Sequence, residues 1–184
     1  MNLPNKISLL RVAMIPVFVV LALMPTQWAQ LAALGVFCLA SLTDALDGYI
    51  ARSRNLITDF GKFIDPIADK LLVMSALVVL VSDGRMPAWV CIVMLARELA
   101  ISGFRLVAVG GGRVIAAGWL GKIKTVTQMA AVILLMLCVP LQGEPLLGQP
   151  GVVLAQSTMY LAAAMTVISG ADYIVRNFDC IRDM

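Results

Sequence analysis

Apolar residues in this chain fall into long blocks rather than short alternations. Six apolar segments can be marked at about 7–24, 29–50, 60–81, 87–108, 122–140 and 152–175, each close to the span of about 20 residues that a helix needs to cross a bilayer. Each has an apolar body and one charged end, and the charged end alternates along the chain. Lys6 and Arg11 begin the first segment, while Asp44, Asp47 and Arg52 finish the second. Asp65, Asp69 and Lys70 begin the third; Arg97, Glu98 and Arg105 finish the fourth. Lys122 and Lys124 begin the fifth; Asp172 and Arg176 finish the sixth. This alternation puts every charged end on one side of the membrane. The loops on the other side contain Arg85 as their only cation, so the positive-inside rule makes the charged side cytoplasmic, with both termini inside.

Turn residues agree with these boundaries. Pro25, Pro87, Pro140, Pro145 and Pro150 fall at or between segments on the outer side, and Gly110, Gly111 and Gly112 break the cytoplasmic connector between the fourth and fifth. The start of the third helix is ambiguous. Thr58 or Asp59 is a suitable N-cap, but Pro66 favours a start that makes Asp65 the cap and occupies its oxygen. The earlier start is preferred, with Pro66 loosening the ladder locally. No internal repeat or soluble domain interrupts the pattern, so residues 1–184 are read as one transmembrane domain.

Composition supports this reading. Of 184 residues 61% are hydrophobic and only 14% charged, too apolar for a soluble domain of this size. The net charge is +3, and no nucleic-acid partner is expected. Cys38, Cys91, Cys138 and Cys180 are scattered without a CxxC pattern and read as small apolar fillers. Lys6 and Arg11 ahead of an apolar run imitate a signal peptide, but no clear small-residue cleavage site follows, and the run is read as a retained span. Histidine is absent, which disfavours zinc or iron held by nitrogen.

The chemistry is concentrated between residues 44 and 70, where four aspartates stand in mostly apolar text. On helices, Asp44, Asp47, Gly48 and Ala51 make one stripe at i, i+3, i+4 and i+7, and Gly61, Asp65 and Asp69 make a second at i, i+4 and i+8. The small residues serve close helix packing or clear room for a bulky ligand. Converging carboxylates repel and raise one another's pKa, and an all-oxygen site suits Mg²⁺ or Mn²⁺. Paired divalent ions serve phosphoryl chemistry, and a carboxylate beside them can take a proton from an attacking hydroxyl. The chain has no Walker-type phosphate loop.

The run Asp44-x2-Asp47-Gly48-x2-Ala51-Arg52-x8-Gly61-x3-Asp65-x3-Asp69 resembles, position for position, the motif of the CDP-alcohol phosphotransferases. LPNKISLLR at the start, DFGKFIDPIADKLLV, the ARE of Ala96–Glu98 and GKIKTVTQM at Gly121–Met129 are similar to the branch whose acceptor is glycerol 3-phosphate; Ser8 stands where threonine is expected. The resemblance implies a six-helix membrane fold, usually a homodimer, with a polar, metal-containing cavity open to the cytoplasm. It implies that Asp44, Asp47, Asp65 and Asp69 hold two Mg²⁺ or Mn²⁺ ions and that Asp69 is the general base. Asp47, Gly48, Ala51, Arg52 and Gly61 would border the CDP group of CDP-diacylglycerol, whose tails lie among membrane lipids. An integral inner-membrane location with the active site toward the cytoplasm follows.

Arg105, Arg113, Lys122, Lys124 and Thr125, with Arg97 ranked below them, fit an acceptor that carries its own phosphate. Positive-inside topology explains part of the same charge. Lys122 and Lys124 are favoured because they begin a helix, where cations oppose the macrodipole unless an anion joins them. Arg97 and Glu98 are expected to pair. Two other readings remain: a sibling enzyme with phosphatidylglycerol, inositol phosphate or serine as acceptor, and a divalent-cation transporter. The transporter is disfavoured because all four aspartates lie toward one end and no inverted repeat is visible.

Overall fold

The computed structural model of the chain describes residues 3–54, 59–110, 118–138, 145 and 147–177, with side chains for all of these except 3–8, 44–54, 59–66, 69 and 109–110. Among the described residues the fold is all-helical, with six helices and no strand. They are α1 (Leu3–Leu23), α2 (Gln27–Arg54), α3 (Asp59–Ser82), α4 (Ala88–Gly110), α5 (Trp119–Cys138) and α6 (Gly148–Arg176). Each corresponds to one apolar segment and runs past it at one end or both, as at the charged ends of α1, α2 and α5. Hydropathy marks the apolar body; the backbone hydrogen-bond ladder continues into polar text as long as no residue breaks it.

α3 settles the ambiguity at its start. It begins at Asp59 and runs without interruption through Pro66. Asp65 therefore lies in its second turn and is not an N-cap. At the other end Gly84 takes φ 72°, the left-handed conformation that closes a helix at little cost only for glycine. Pro87 then leads into α4.

α1 packs on α2 and α3, α5 packs along α6, and α4 lies against α6. Where α1 meets α2, Phe18 and Phe37 are fully buried with ring centroids 5.8 Å apart. Small residues on the facing helices, Ala33, Ala40 and Ala76, leave room for these large ones. α6 meets α5 along Gly151, Ala155, Ala162 and Ala163, all buried, which is how helices approach closely where lipid gives no hydrophobic drive. Large apolar side chains also cover the outside: Val20, Leu39, Val78, Ile92, Val126 and Val167, one on each helix, are exposed. A bundle apolar both inside and out is a membrane protein. By length and composition α5 and α6 alone qualify outright as spans among the described residues; α1, α2 and α3 carry shorter apolar stretches, Leu9–Leu23, Gln27–Thr43 and Lys70–Ser82.

A polar clamp closes the end of the bundle away from the aspartates. Gln30 donates to the carbonyl oxygens of Ala22 and Met24 at the α1–α2 turn. Its own carbonyl accepts from Arg85 at 2.9 Å, and Arg85 is ion-paired with Asp83 in the α3–α4 turn. Arg85 is thus buried and neutralised in a contact that joins two turns.

Candidate active site

Because α2 is continuous to Arg54, Asp44, Asp47, Gly48 and Ala51 share one face of its last three turns, with Arg52 beside them. Because α3 begins at Asp59, Gly61, Asp65 and Asp69 share a face of its first turns. The side chains of these eight residues lie outside the described set. Both stripes lead into the walls of a cavity of about 590 Å³: Ser41 lies one turn before Asp44, and Lys70 follows Asp69 directly.

Five cations from four helices line this cavity: Arg11 of α1, Lys70 of α3, Arg97 and Arg105 of α4, and Lys122 of α5. Glu98 is the only carboxylate among the described lining residues. Among the described lining residues positive charge is thus in excess, and between apolar walls, where screening is weak, such charge attracts an anion.

The cations are held in place from behind, and α6 does much of this. Arg97 donates to the Ser169 hydroxyl at 3.3 Å, and its stem passes so close to Gly170 that an added Cβ there would sit 3.2 Å from Cγ. Arg105 directs Nε to the Tyr173 hydroxyl at 3.4 Å, with its guanidinium 5.5 Å from that ring's centroid. Phe104 meets the same ring edge-on at 5.5 Å. Lys70 donates to the Ser102 hydroxyl, which in turn donates to the Glu98 carbonyl at 2.6 Å. Lys122 is exposed, its ammonium 5.0 Å from the Trp119 ring centroid.

Of the residues expected to meet the acceptor, Arg97, Arg105, Lys122 and Thr125 line the cavity. Arg113 lies outside the described residues. Lys124 does not line the cavity: it is 0% exposed and ion-paired with Glu98. Positions two apart on a helix point in nearly opposite directions, so Lys122 and Lys124 could not both face one cavity. Arg97 does approach Glu98, at 3.9 Å, but Lys124 is the closer partner.

Several lining residues were not foreseen: Arg11, Lys70, Glu98, Ser102 and Gln128. Glu98 carried a signal in the sequence, since it is the one acid between Asp83 and Glu144, in a stretch rich in cations. Gln128 on α5 is 2% exposed, and neither its amide nitrogen nor its amide oxygen has a hydrogen-bond partner. Among the described residues no group of three or more acidic, thiol or imidazole side chains could hold a metal ion. The four aspartates of the two stripes have side chains outside the described set; as residue types they are all-oxygen donors of the kind that suit Mg²⁺ or Mn²⁺.

The sequence profile of the CDP-alcohol phosphatidyltransferase family matches residues 1–168. The chain belongs to that family. Its relatives agree. A Bacillus subtilis (strain 168) protein named CDP-diacylglycerol–glycerol-3-phosphate 3-phosphatidyltransferase is 45% identical over 98% of this chain and 97% of its own. A probable phosphatidylglycerophosphate synthase of Mycobacterium tuberculosis (strain H37Rv) is 42% identical over 95% of this chain and 81% of its own. The Escherichia coli (strain K12) CDP-diacylglycerol–glycerol-3-phosphate 3-phosphatidyltransferase is 42% identical over 71% of this chain and 74% of its own. The family profile ends before Ser169, Gly170 and Tyr173, the residues that brace the two arginines of α4.

Proposed function

We propose that this protein transfers the phosphatidyl group of CDP-diacylglycerol to glycerol 3-phosphate, giving phosphatidylglycerophosphate and CMP. The observation that carries the reading is the cationic cavity at the ends of the two aspartate stripes. Carboxylate-held metal beside an anion well suits a small alcohol that brings its own phosphate, and the relatives' names point to the same acceptor. Inositol phosphate shares that feature and is the alternative to exclude; serine and phosphatidylglycerol exploit the cations less well.

In the proposed reaction Asp44, Asp47, Asp65 and Asp69 would hold two Mg²⁺ or Mn²⁺ ions, which would supply Lewis-acid stabilisation of the charge on the phosphates. Gly48, Ala51 and Gly61 leave room for the CDP group, with Asp47 and Arg52 at its border. Arg97, Arg105, Lys122 and Thr125 receive the acceptor's phosphate; Lys124 supports them by fixing Glu98, and Arg113 adds charge from the connector. The acceptor hydroxyl loses its proton to Asp69 as its oxygen bonds to the β-phosphorus. The phosphoanhydride P–O bond breaks, and CMP departs with the electron pair. Six spans, cytoplasmic termini, an inner-membrane location, an inward-facing cavity and a homodimeric unit complete the proposal.

The test is CMP release by purified protein from CDP-diacylglycerol with Mg²⁺ and a panel of acceptors. Glycerol 3-phosphate should be the best acceptor, and chelation of the metal should stop release. Preference for inositol phosphate, serine or phosphatidylglycerol would overturn the acceptor while leaving the family intact.

A further inference from the structure

The Gln128 amide is a buried polar group of the cavity that the proposed reaction leaves unused and that has no partner in the protein. It lines the cavity, is 2% exposed, and has neither its N–H donors nor its carbonyl satisfied. Buried amides are nearly always paired, and leaving one orphaned is costly. A buried amide without a protein partner that lines a binding cavity can meet a polar group of a bound ligand. Resting on glycerol 3-phosphate as the acceptor, we propose that Gln128 is a specificity residue that hydrogen-bonds the acceptor's 2-hydroxyl.

The position fits. Thr125 and Lys122, on the same helix, belong to the cationic side of the cavity. Gln128 lies about 4.5 Å further along the axis than Thr125 and about 9 Å further than Lys122. An acceptor whose phosphate is held at those cations extends its carbon chain toward Gln128. The chemistry fits as well. An amide side chain both donates and accepts, and so does a hydroxyl, so one carbinol satisfies both halves of the amide. An ester carbonyl of the lipid substrate satisfies only the donor half. Lys124, one turn back on α5, is engaged by Glu98, so Gln128 has no competing demand from that carboxylate's closest cation.

The experiment compares glycerol 3-phosphate with 3-hydroxypropyl phosphate, which has the same phosphate and primary alcohol but lacks the 2-hydroxyl. In wild type the ratio of kcat/KM values should favour glycerol 3-phosphate about tenfold to a hundredfold. In Gln128→Leu the ratio should fall close to one, with the KM for CDP-diacylglycerol unchanged. The unliganded variant should also unfold at a higher temperature than wild type, because an orphaned amide has been replaced by an apolar group of similar size. Gln128→Met, unbranched and apolar, is the second variant. A wild-type ratio retained in either variant overturns the proposal, and a rise confined to the KM for CDP-diacylglycerol reassigns the amide to the lipid. Loss of folding in both variants makes the amide structural and overturns it too. Wild-type turnover of glycerol 3-phosphate separates the two claims: if it fails, the acceptor reading falls; if it holds and the ratio survives mutation, only the role of Gln128 falls.

Discussion

Burying an ammonium group costs several kcal/mol unless an opposite charge meets it. Lys124 is completely enclosed and is met by Glu98. Glu98→Gln should therefore destabilise the protein, and Glu98→Gln with Lys124→Met should recover part of the loss. Thermal unfolding of the two single variants and the double variant in detergent measures this coupling. Equal, additive losses would show that the pair contributes nothing as a pair. Asp69 raises a different residue-scale question. Asp69→Asn keeps the size but not the basicity, and turnover should fall about 10²–10⁴-fold while CDP-diacylglycerol still binds; single-turnover rates near wild type would remove it from the proton-accepting role. The spacing of the aspartates is legible from the sequence because a helix fixes which positions share a face. Which lysine of GKIKT turns to the cavity is not, since both begin the helix and only the neighbour, α4 with Glu98, selects between them.

At the level of elements, α6 is the backing of the two cavity-lining arginines of α4. Its apolar body is evident from hydropathy, but its service to α4 is not, because Ser169, Gly170 and Tyr173 act through contacts with Arg97 and Arg105 some seventy positions away. Gly170→Val should push the Arg97 stem off its track, and overpacking of this kind costs about 1–3 kcal/mol. Tyr173→Ala removes both the hydroxyl and the ring beneath Arg105. The KM for glycerol 3-phosphate should rise about tenfold, the loss of one charge-assisted contact, with little change in the KM for CDP-diacylglycerol. Steady-state kinetics with each substrate varied in turn checks this, and equal effects on both would make Tyr173 a general packing residue. The boundary of α3 shows the reverse case. Both candidate starts were visible in the sequence, and the intact ladder from Asp59 through Pro66 decided between them.

Across the whole molecule, orientation follows from where the cations stand, and it can be measured without activity. In a variant with Cys38, Cys91, Cys138 and Cys180 replaced, single cysteines at Ser53 and Lys122 should react with an impermeant thiol reagent only in inside-out vesicles. A cysteine at Thr26, in the turn beside the Gln30 clamp, should react in intact cells. The opposite pattern at any of the three positions would invert or break the topology.

That clamp has a mechanical meaning. Arg85 and Gln30 join the α1–α2 turn to the α3–α4 turn, and the aspartates sit at the far ends of α2 and α3. Helix pairs tied at one end keep a fixed register there, so the tie sets how the far ends of α2 and α3 stand relative to each other. A lipid substrate and a lipid product of equal phosphate number are then exchanged at the end of the bundle that this tie leaves unpinned.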